Sequence, residues 1–162
     1  MASDIFLKLD GIDGESGDGK HTGWIELNTF GHSVSHQSEG KISAASTLSA
    51  GRSELSDISV TKDLDKASPN LAKFCLNGKV IKSGQIDFCA GTGEKHVYLT
   101  YKLTNVHLKT HGINHGGGTA RPSETLSFGY TKIEMEYTSW GADGSKGGAT
   151  PYRWDLTKNA ES

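Results

Sequence analysis

Two long segments, His96 to Lys109 (HVYLTYKLTNVHLK) and Glu124 to Tyr137 (ETLSFGYTKIEMEY), constrain the fold most, because in each the apolar residues change face partway along. In the first, Val97, Leu99, Tyr101 and Leu103 share one face at the two-residue period of a strand. Val106 and Leu108 then fall on the other. In the second, Leu126, Phe128 and Tyr130 give way to Ile133, Met135 and Tyr137. A regular strand cannot bury both sets on one side, so a bulge or sharp coil is predicted near Thr104-Asn105 and another near Thr131-Lys132. Two such switches in neighbouring segments predict a bent hairpin that wraps a core.

A chain of 162 residues is long enough to bury one ordinary core, and a single domain over residues 1–162 is expected. Its 21 glycines against 3 prolines gather between the apolar segments, as in an all-β protein with flexible loops. A first strand is predicted at Ile5 to Leu9 and a second from Gly23 to about Phe30. A polar stretch from Gly31 to Ser56 is longer than a domain normally spends on an unstructured loop. Strand pattern resumes at Ile58 and Val60. Ser68-Pro69 then reads as N-cap and first turn of one short helix near Pro69 to Leu76, with Asn77-Gly78 as its stop and Leu71, Phe74 and Cys75 on one face. The next strand carries Val80, Ile86 and Phe88, with a bulge expected at Gly84. Thr110 to Ser123 is read as a second long connection, and Pro151 to Thr157 as a closing edge strand presenting Tyr152, Trp154 and Leu156.

Charge excludes some functions. A formal net charge of -2 gives no basic footprint for nucleic acid or an anionic membrane, so neither partner is expected. The opening Met1 to Lys8 has no basic n-region and no spanning apolar run, which predicts folding in the cytoplasm without membrane insertion. Cys75 and Cys89 are expected to be free thiols.

Several motifs resemble catalytic or metal sites and fail on physical grounds. Gly14-Glu-Ser-Gly-Asp-Gly-Lys20 has phosphate-loop spacing, but His21 stands where Ser or Thr would hold Mg²⁺ and Trp24-Ile-Glu-Leu27 reads as strand where a helix is required. Asp13, Glu15 and Asp18 would repel phosphate, so the stretch is read as a solvated turn. His107, His111 and His115 recur every fourth residue, yet strand alternation and the glycines at 112 and 116–118 disfavour the helix that would stack them on a metal. A site formed across the loop tip stays open. Asp10, Asp13 and Asp18 lack calcium-loop spacing and are read as surface charge. No Gly-x-Ser-x-Gly elbow is present, so hydrolase chemistry has no anchor. With these motifs set aside, no enzyme activity, resident metal or cofactor is expected.

The sequence resembles the Hcp (haemolysin-coregulated protein) family, the tube component of the bacterial type VI secretion system. The similarity lies in Asp4 to Ile12 with Gly14-Glu15-Ser16, in Ile58 to Lys62 running into Asp65 to Leu71, in Tyr98 to Leu108, in Glu124 to Phe128 continuing to Glu136-Tyr137, and in Tyr152 to Asp155. Asn28-Thr-Phe-Gly31 stands where members often have Trp-Ser-Trp-Gly, and residues 32–55 and 110–123 depart in sequence.

The resemblance implies an all-β, mainly β fold: a compact β-barrel of two sheets with one short α-helix. It further implies a homohexameric ring whose copies stack into a hollow tube. Such a tube is assembled in the cytoplasm, propelled by a contractile sheath and secreted without a cleaved signal peptide, has a spike protein as a further partner, and carries small effector proteins in its lumen. Ring stacking falls to an extended loop at about 31–56, represented by Gly31, Val34, His36, Gly40, Lys41, Ser46, Leu48 and Arg52. Tyr98, Thr100 and Lys102, opposite the barrel-facing set by strand parity, are candidates for a subunit interface or the lumen. Two alternatives stand beside it. One is a secreted carbohydrate-binding β-sandwich using Trp24, Trp140 and Trp154, and the other is a tail-tube protein of a contractile phage-like particle.

Overall fold

Alternating apolar residues build nearly every element of the structure, a computed structural model that describes residues 3–37, 52–91 and 94–162. In chain order the elements are β1 (Ser3–Leu9), β2 (Ile25–Leu27), β3 (Thr29–Gly31), β4 (Val34–Gln37), β5 (Arg52–Leu55), β6 (Ile58–Asp63), α1 (Ser68–Asn77), β7 (Ile81–Ala90), β8 (His96–Asn114), β9 (Ser123–Gly129), β10 (Lys132–Trp140), β11 (Lys146–Asp155) and β12 (Ala160–Glu161). One antiparallel sheet runs β12-β11-β10-β8-β7-β1-β2, and a second runs β3-β6-β9-β8. The 19-residue β8 belongs to both. Its first half pairs with β7 and β10, and its second half pairs with β9.

The transfer between sheets happens at Asn105, whose φ of 53° is left-handed. Thr104 and Asn105 are both exposed, between inward Leu103 and inward Val106. This is the predicted face switch, and Asn tolerates that backbone better than most residues because its short amide bonds locally. The second predicted switch is a full break rather than a bent strand. The chain leaves the small sheet at Gly129 and enters the large one at Lys132, with Tyr130 and Thr131 between them. Backbone N–H groups of Thr131 and Leu156 are satisfied there by Thr104 O and Thr131 O, both at 2.9 Å.

The core lies between the sheets. Leu7, Ile25, Ile58, Leu71, Ile86, Val106 and Phe128 are fully buried in it. Each such side chain contributes about 1.5–3 kcal/mol of transfer free energy, so this cluster dominates folding. The helix covers one end through Leu71, with Phe74 and Cys75 partly buried beside it.

Local predictions shift in five places. The segment from Gly23 to Phe30 is two strands in two sheets, because the Asn28 N–H turns to Thr61 O at 2.7 Å and redirects the chain. The helix cap is Ala67, not Ser68; the Ser68 hydroxyl instead accepts the Asp65 N–H at 3.0 Å, while Asp65 accepts the Ala67 N–H at 2.9 Å. Gly84 sits in regular register with Leu9 and Leu103, close-packed rather than bulged: a Cβ there would come 3.1 Å from Val106 Cγ2. The real β7–β8 bulge falls at Tyr98, between the pairs Phe88↔Leu99 and Cys89↔Val97. Finally, β8 continues to Asn114 and β11 begins at Lys146, so the connection after β8 is shorter, and the closing strand longer, than expected.

Candidate functional site

The segment expected to stack rings folds back on itself as a separate two-stranded ribbon. Val34 pairs with Leu55, Ser35 with Glu54, His36 with Ser53 and Gln37 with Arg52. All four β4 residues are exposed. Gly31 ends β3 below the ribbon. Gly40, Lys41, Ser46 and Leu48 lie outside the described residues.

Beneath the ribbon is a groove of about 550 Å³. Val34, His36 and Leu55 line it from the ribbon, and Tyr101, Met135, Tyr152 and Trp154 from the body. The register explains the floor: Met135 lies directly between Tyr101 on β8 and Tyr152 on β11, which makes an aromatic and thioether row. Val34 is 63% exposed, Tyr137 49% and Tyr152 38%. Apolar surface gathered beside a projecting ribbon is the equipment of a contact face.

The second candidate set divides. Thr100 and Lys102 lie on the outer face of the large sheet, in cross-strand rows with charged neighbours. Arg153, Glu134, Lys102, Gln85 and Lys8 follow one another across five strands. Thr100 donates to Asp87 Oδ1 at 3.1 Å, and Arg153 to Glu134 Oε1 at 3.2 Å. Tyr98 leaves this face, because the bulge turns it toward the core, with its ring 6.3 Å from Phe88.

The outer face of the small sheet has a different chemistry. Thr29, Thr61, Thr125 and Gly112 form one row, and Gly31, Ser59, Ser127 and Thr110 the next. The hydroxyls of Thr29 and Thr61, and of Thr110 and Ser127, are each 2.6 Å apart. Neither row carries a charged side chain.

The loop with phosphate-like spacing is neither a phosphate cradle nor a solvated turn. His21 is 3% exposed, stacked on Phe6 at 4.4 Å and edge-on to Trp24 at 4.7 Å. Its Nδ1 lies 3.0 Å from Asp18 Oδ1 and its Nε2 2.9 Å from Asp87 Oδ2. The loop is thereby fastened over the large sheet, which buries Phe6 on the face opposite the core. Asp18 is a structural anchor rather than free surface charge. The hydrogen bond from His21 holds its carboxyl down to about 2, helped by the Lys20 N–H and by Lys95, against a smaller upward push from burial.

A carboxyl held below its ordinary value of 3.8 contributes stability above that value and loses it as pH falls through about 2. Asp18→Asn keeps an acceptor but removes the charge. Its urea midpoint is expected to converge on that of the unmodified protein between about pH 4 and pH 2. A constant difference between the two over that window would contradict the anchor.

The histidine triplet does not assemble. His107 and His111 lie on β8, His111 Nε2 contacts Glu124 Oε1 at 3.1 Å, and His115 donates to Ala120 O at 2.9 Å. Among the described residues no group of three potential ligands is placed for a metal. The tryptophans are also separate: Trp24 covers His21, Trp140 stacks on His96 at 4.1 Å and donates to Val97 O, and Trp154 floors the groove. Both cysteines are free thiols. Burial, aided by the charges of Asp87, Asp18 and Asp4, pushes the Cys89 thiol up to about 11, so it stays protonated near neutrality.

Two sheets sharing one strand, with a separate two-stranded ribbon over an apolar groove, define an all-β protein. The chain belongs to the Hcp family: the family model described as "Type VI secretion system effector, Hcp" matches residues 6–137. It is 29% identical to Protein hcp1 of Pseudomonas aeruginosa over 100% of both chains. It superposes with a TM-score of 0.93 on a solved type six secretion system protein, at 32% identity over 99% of this chain and 100% of the other. Hcp1 from Salmonella typhimurium superposes at 0.79, with 31% identity and 100% of each chain covered. It is therefore a component of the type VI secretion system. No described helix is long and apolar enough to cross a membrane.

Proposed function

We propose that this chain, acting as one domain over residues 1–162, is the tube subunit of a type VI secretion apparatus. Six copies close a ring, rings stack into a hollow tube, and small effector proteins are carried in the lumen. The tube is assembled in the cytoplasm and propelled out of the cell by a contractile sheath, with a spike protein as a further partner. The observation that carries this is the full-length likeness to a type six secretion system protein, at a TM-score of 0.93 over 99% of this chain.

The geometry favours association of further copies and a cargo-tolerant wall. Among the described residues β2 pairs only with β1, β3 only with β6, and Lys146 to Arg153 of β11 only with β10. Unpaired edges and the exposed Val34, Tyr137 and Tyr152 favour contact with further copies, and a head-to-tail contact closes a ring when its rotation closes. A lumen wall must pass cargo of either charge, and the hydroxyl rows of the small sheet suit that task better than the charged rows around Lys102. Thr100 and Lys102 then serve at the ring's outer or intersubunit surface. No step needs an active site or a cofactor.

Size-exclusion chromatography with light scattering is expected to give a particle near six times 17.3 kDa. A monomer would overturn the ring. Removing Val34 to Arg52 is expected to leave the ring intact and to abolish tubes in electron micrographs. Tubes of normal length from the shortened chain would show that the ribbon has no stacking role.

A further inference from the structure

We propose that Tyr130 is a positioning residue that sets the direction of the β4–β5 ribbon and thereby its fitness for stacking; this rests on the stacking role given to the ribbon above. A two-stranded ribbon is marginal by itself, so its orientation must be fixed where it joins the body. Between ribbon and body lies the open groove of about 550 Å³, which leaves room for the ribbon to swing.

The root is held by a compact set of bonds. The Ser56 N–H donates to Ser33 O and the Ser33 N–H to Ser56 Oγ, each at 2.9 Å, which joins the two ribbon legs to each other. Among the described residues, Tyr130 joins both flanks to the body. Its hydroxyl donates to Ser56 O at 3.0 Å, immediately after β5, and lies 2.6 Å from His32 Nε2, two residues before β4. A phenol has one hydrogen, so the first bond obliges His32 Nε2 to be the donor in the second.

The surroundings keep that polarity in place. Burial holds His32 below its usual range and Tyr130 above its own, so near neutrality a neutral imidazole meets an intact phenol. Asp57, whose carboxylate is paired with Lys109 at 2.8 Å, and the hydroxyls of Tyr152 and Tyr101 are the other titratable groups acting on Tyr130. The His32 ring also stands edge-on to Tyr101 at 5.8 Å. Tyr130 occupies the break between β9 and β10, where the chain changes sheets, so both sheets fix its position. The relay His32–Tyr130–Ser56 is therefore a brace running from the join of the sheets to both legs of the ribbon.

Tyr130→Phe removes the hydroxyl and keeps the ring. Amide exchange at Ser33 and Ser56 is expected to rise at least about tenfold while exchange across β8 is unchanged, since only the local opening is eased. Ring mass is expected to hold and tube length to fall several-fold in electron micrographs. His32→Gln, which retains an N–H donor, is expected to keep tubes, and His32→Leu to lose them.

Unchanged exchange at Ser33 and Ser56 in Tyr130→Phe overturns the brace, and so does equal tube growth in His32→Gln and His32→Leu. If Tyr130→Phe forms no ring, the His32 pair decides the matter. If the ribbon-shortened chain still makes tubes, the stacking role fails, and exchange in the isolated protein alone judges the brace. If shortening abolishes tubes while Tyr130→Phe builds them normally, only the proposal about Tyr130 falls.

Discussion

Lys62→Met is expected to lower stability by roughly 3–5 kcal/mol, a fall in thermal midpoint on the order of 10 °C for a domain of this size. Lys62 and Glu124 face each other across β6 and β9, and both are 0% exposed. The Lys62 ammonium contacts Glu124 Oε2, Asp65 Oδ1 at 2.8 Å and Asp63 O at 2.8 Å, with Ser68 Oγ at 3.4 Å. Burial would raise the Glu124 carboxyl, yet hydrogen bonds from Lys62 and Ser68, the Lys62 charge and His111 together hold it below the usual range. Removing the lysine leaves that carboxylate in the core with only His111 and Ser68, which offset its desolvation in part. Lys62→Met with Glu124→Leu removes both charges at similar volume and is expected to recover most of the loss, because a buried pair is worth little against a packed apolar pair. Chemical unfolding of four proteins, the parent, Lys62→Met, Glu124→Leu and the double variant, closes a double-mutant cycle that measures this. A single variant as stable as the parent would mean that water reaches Glu124.

The parity of the sequence contains that pair. Ile58, Val60 and Lys62 share one face, as do Glu124, Leu126 and Phe128, so both charges sit on the buried side at the strand ends. A charge at a strand end is ordinarily read as the last solvated residue, and only the pairing of β6 with β9 shows that the two meet. The switch at Asn105 was legible for the opposite reason: a local change of period reports a local change of backbone. The bulge at Tyr98 left no such mark, since Val97, Tyr98 and Leu99 are apolar or aromatic in succession and either parity buries something. The groove was illegible because Tyr101, Met135 and Tyr152 become neighbours through registers between strands far apart in sequence. The split of residues 23–31 into two sheets turns on one backbone hydrogen bond from Asn28, which composition does not encode. The stacking role proposed for residues 31–56 rests on family resemblance, and the brace proposed at Tyr130 rests on the sheet break beside it.

The loop from Gly14 to Gly23 carries the other large expected effect. A Cβ on Gly14 would lie 2.4 Å from Trp24 O and 2.7 Å from Ile25 Cα, both backbone atoms that no side-chain rotation can clear. Gly14→Ala must therefore lift the loop from β2, and three backbone bonds go with it: Gly14 N–H to Gly23 O, Ser16 N–H to Trp24 O and Gly23 N–H to Ser16 O. His21 then loses its seat between Phe6, Asp18 and Asp87. The expected cost is about 3 kcal/mol, at the upper end for overpacking. Gly17→Ala supplies the comparison within the same loop. Nothing lies within 4 Å of the Cβ it would add, and the expected change is within about 0.5 kcal/mol. Urea unfolding with Trp24 fluorescence reads both variants. Equal effects would mean that the loop tolerates displacement and that His21 is held without it. Unequal effects would establish why a glycine stands at Gly14 in this phosphate-like spacing: it lets one backbone lie directly against another, a packing need that owes nothing to phosphate.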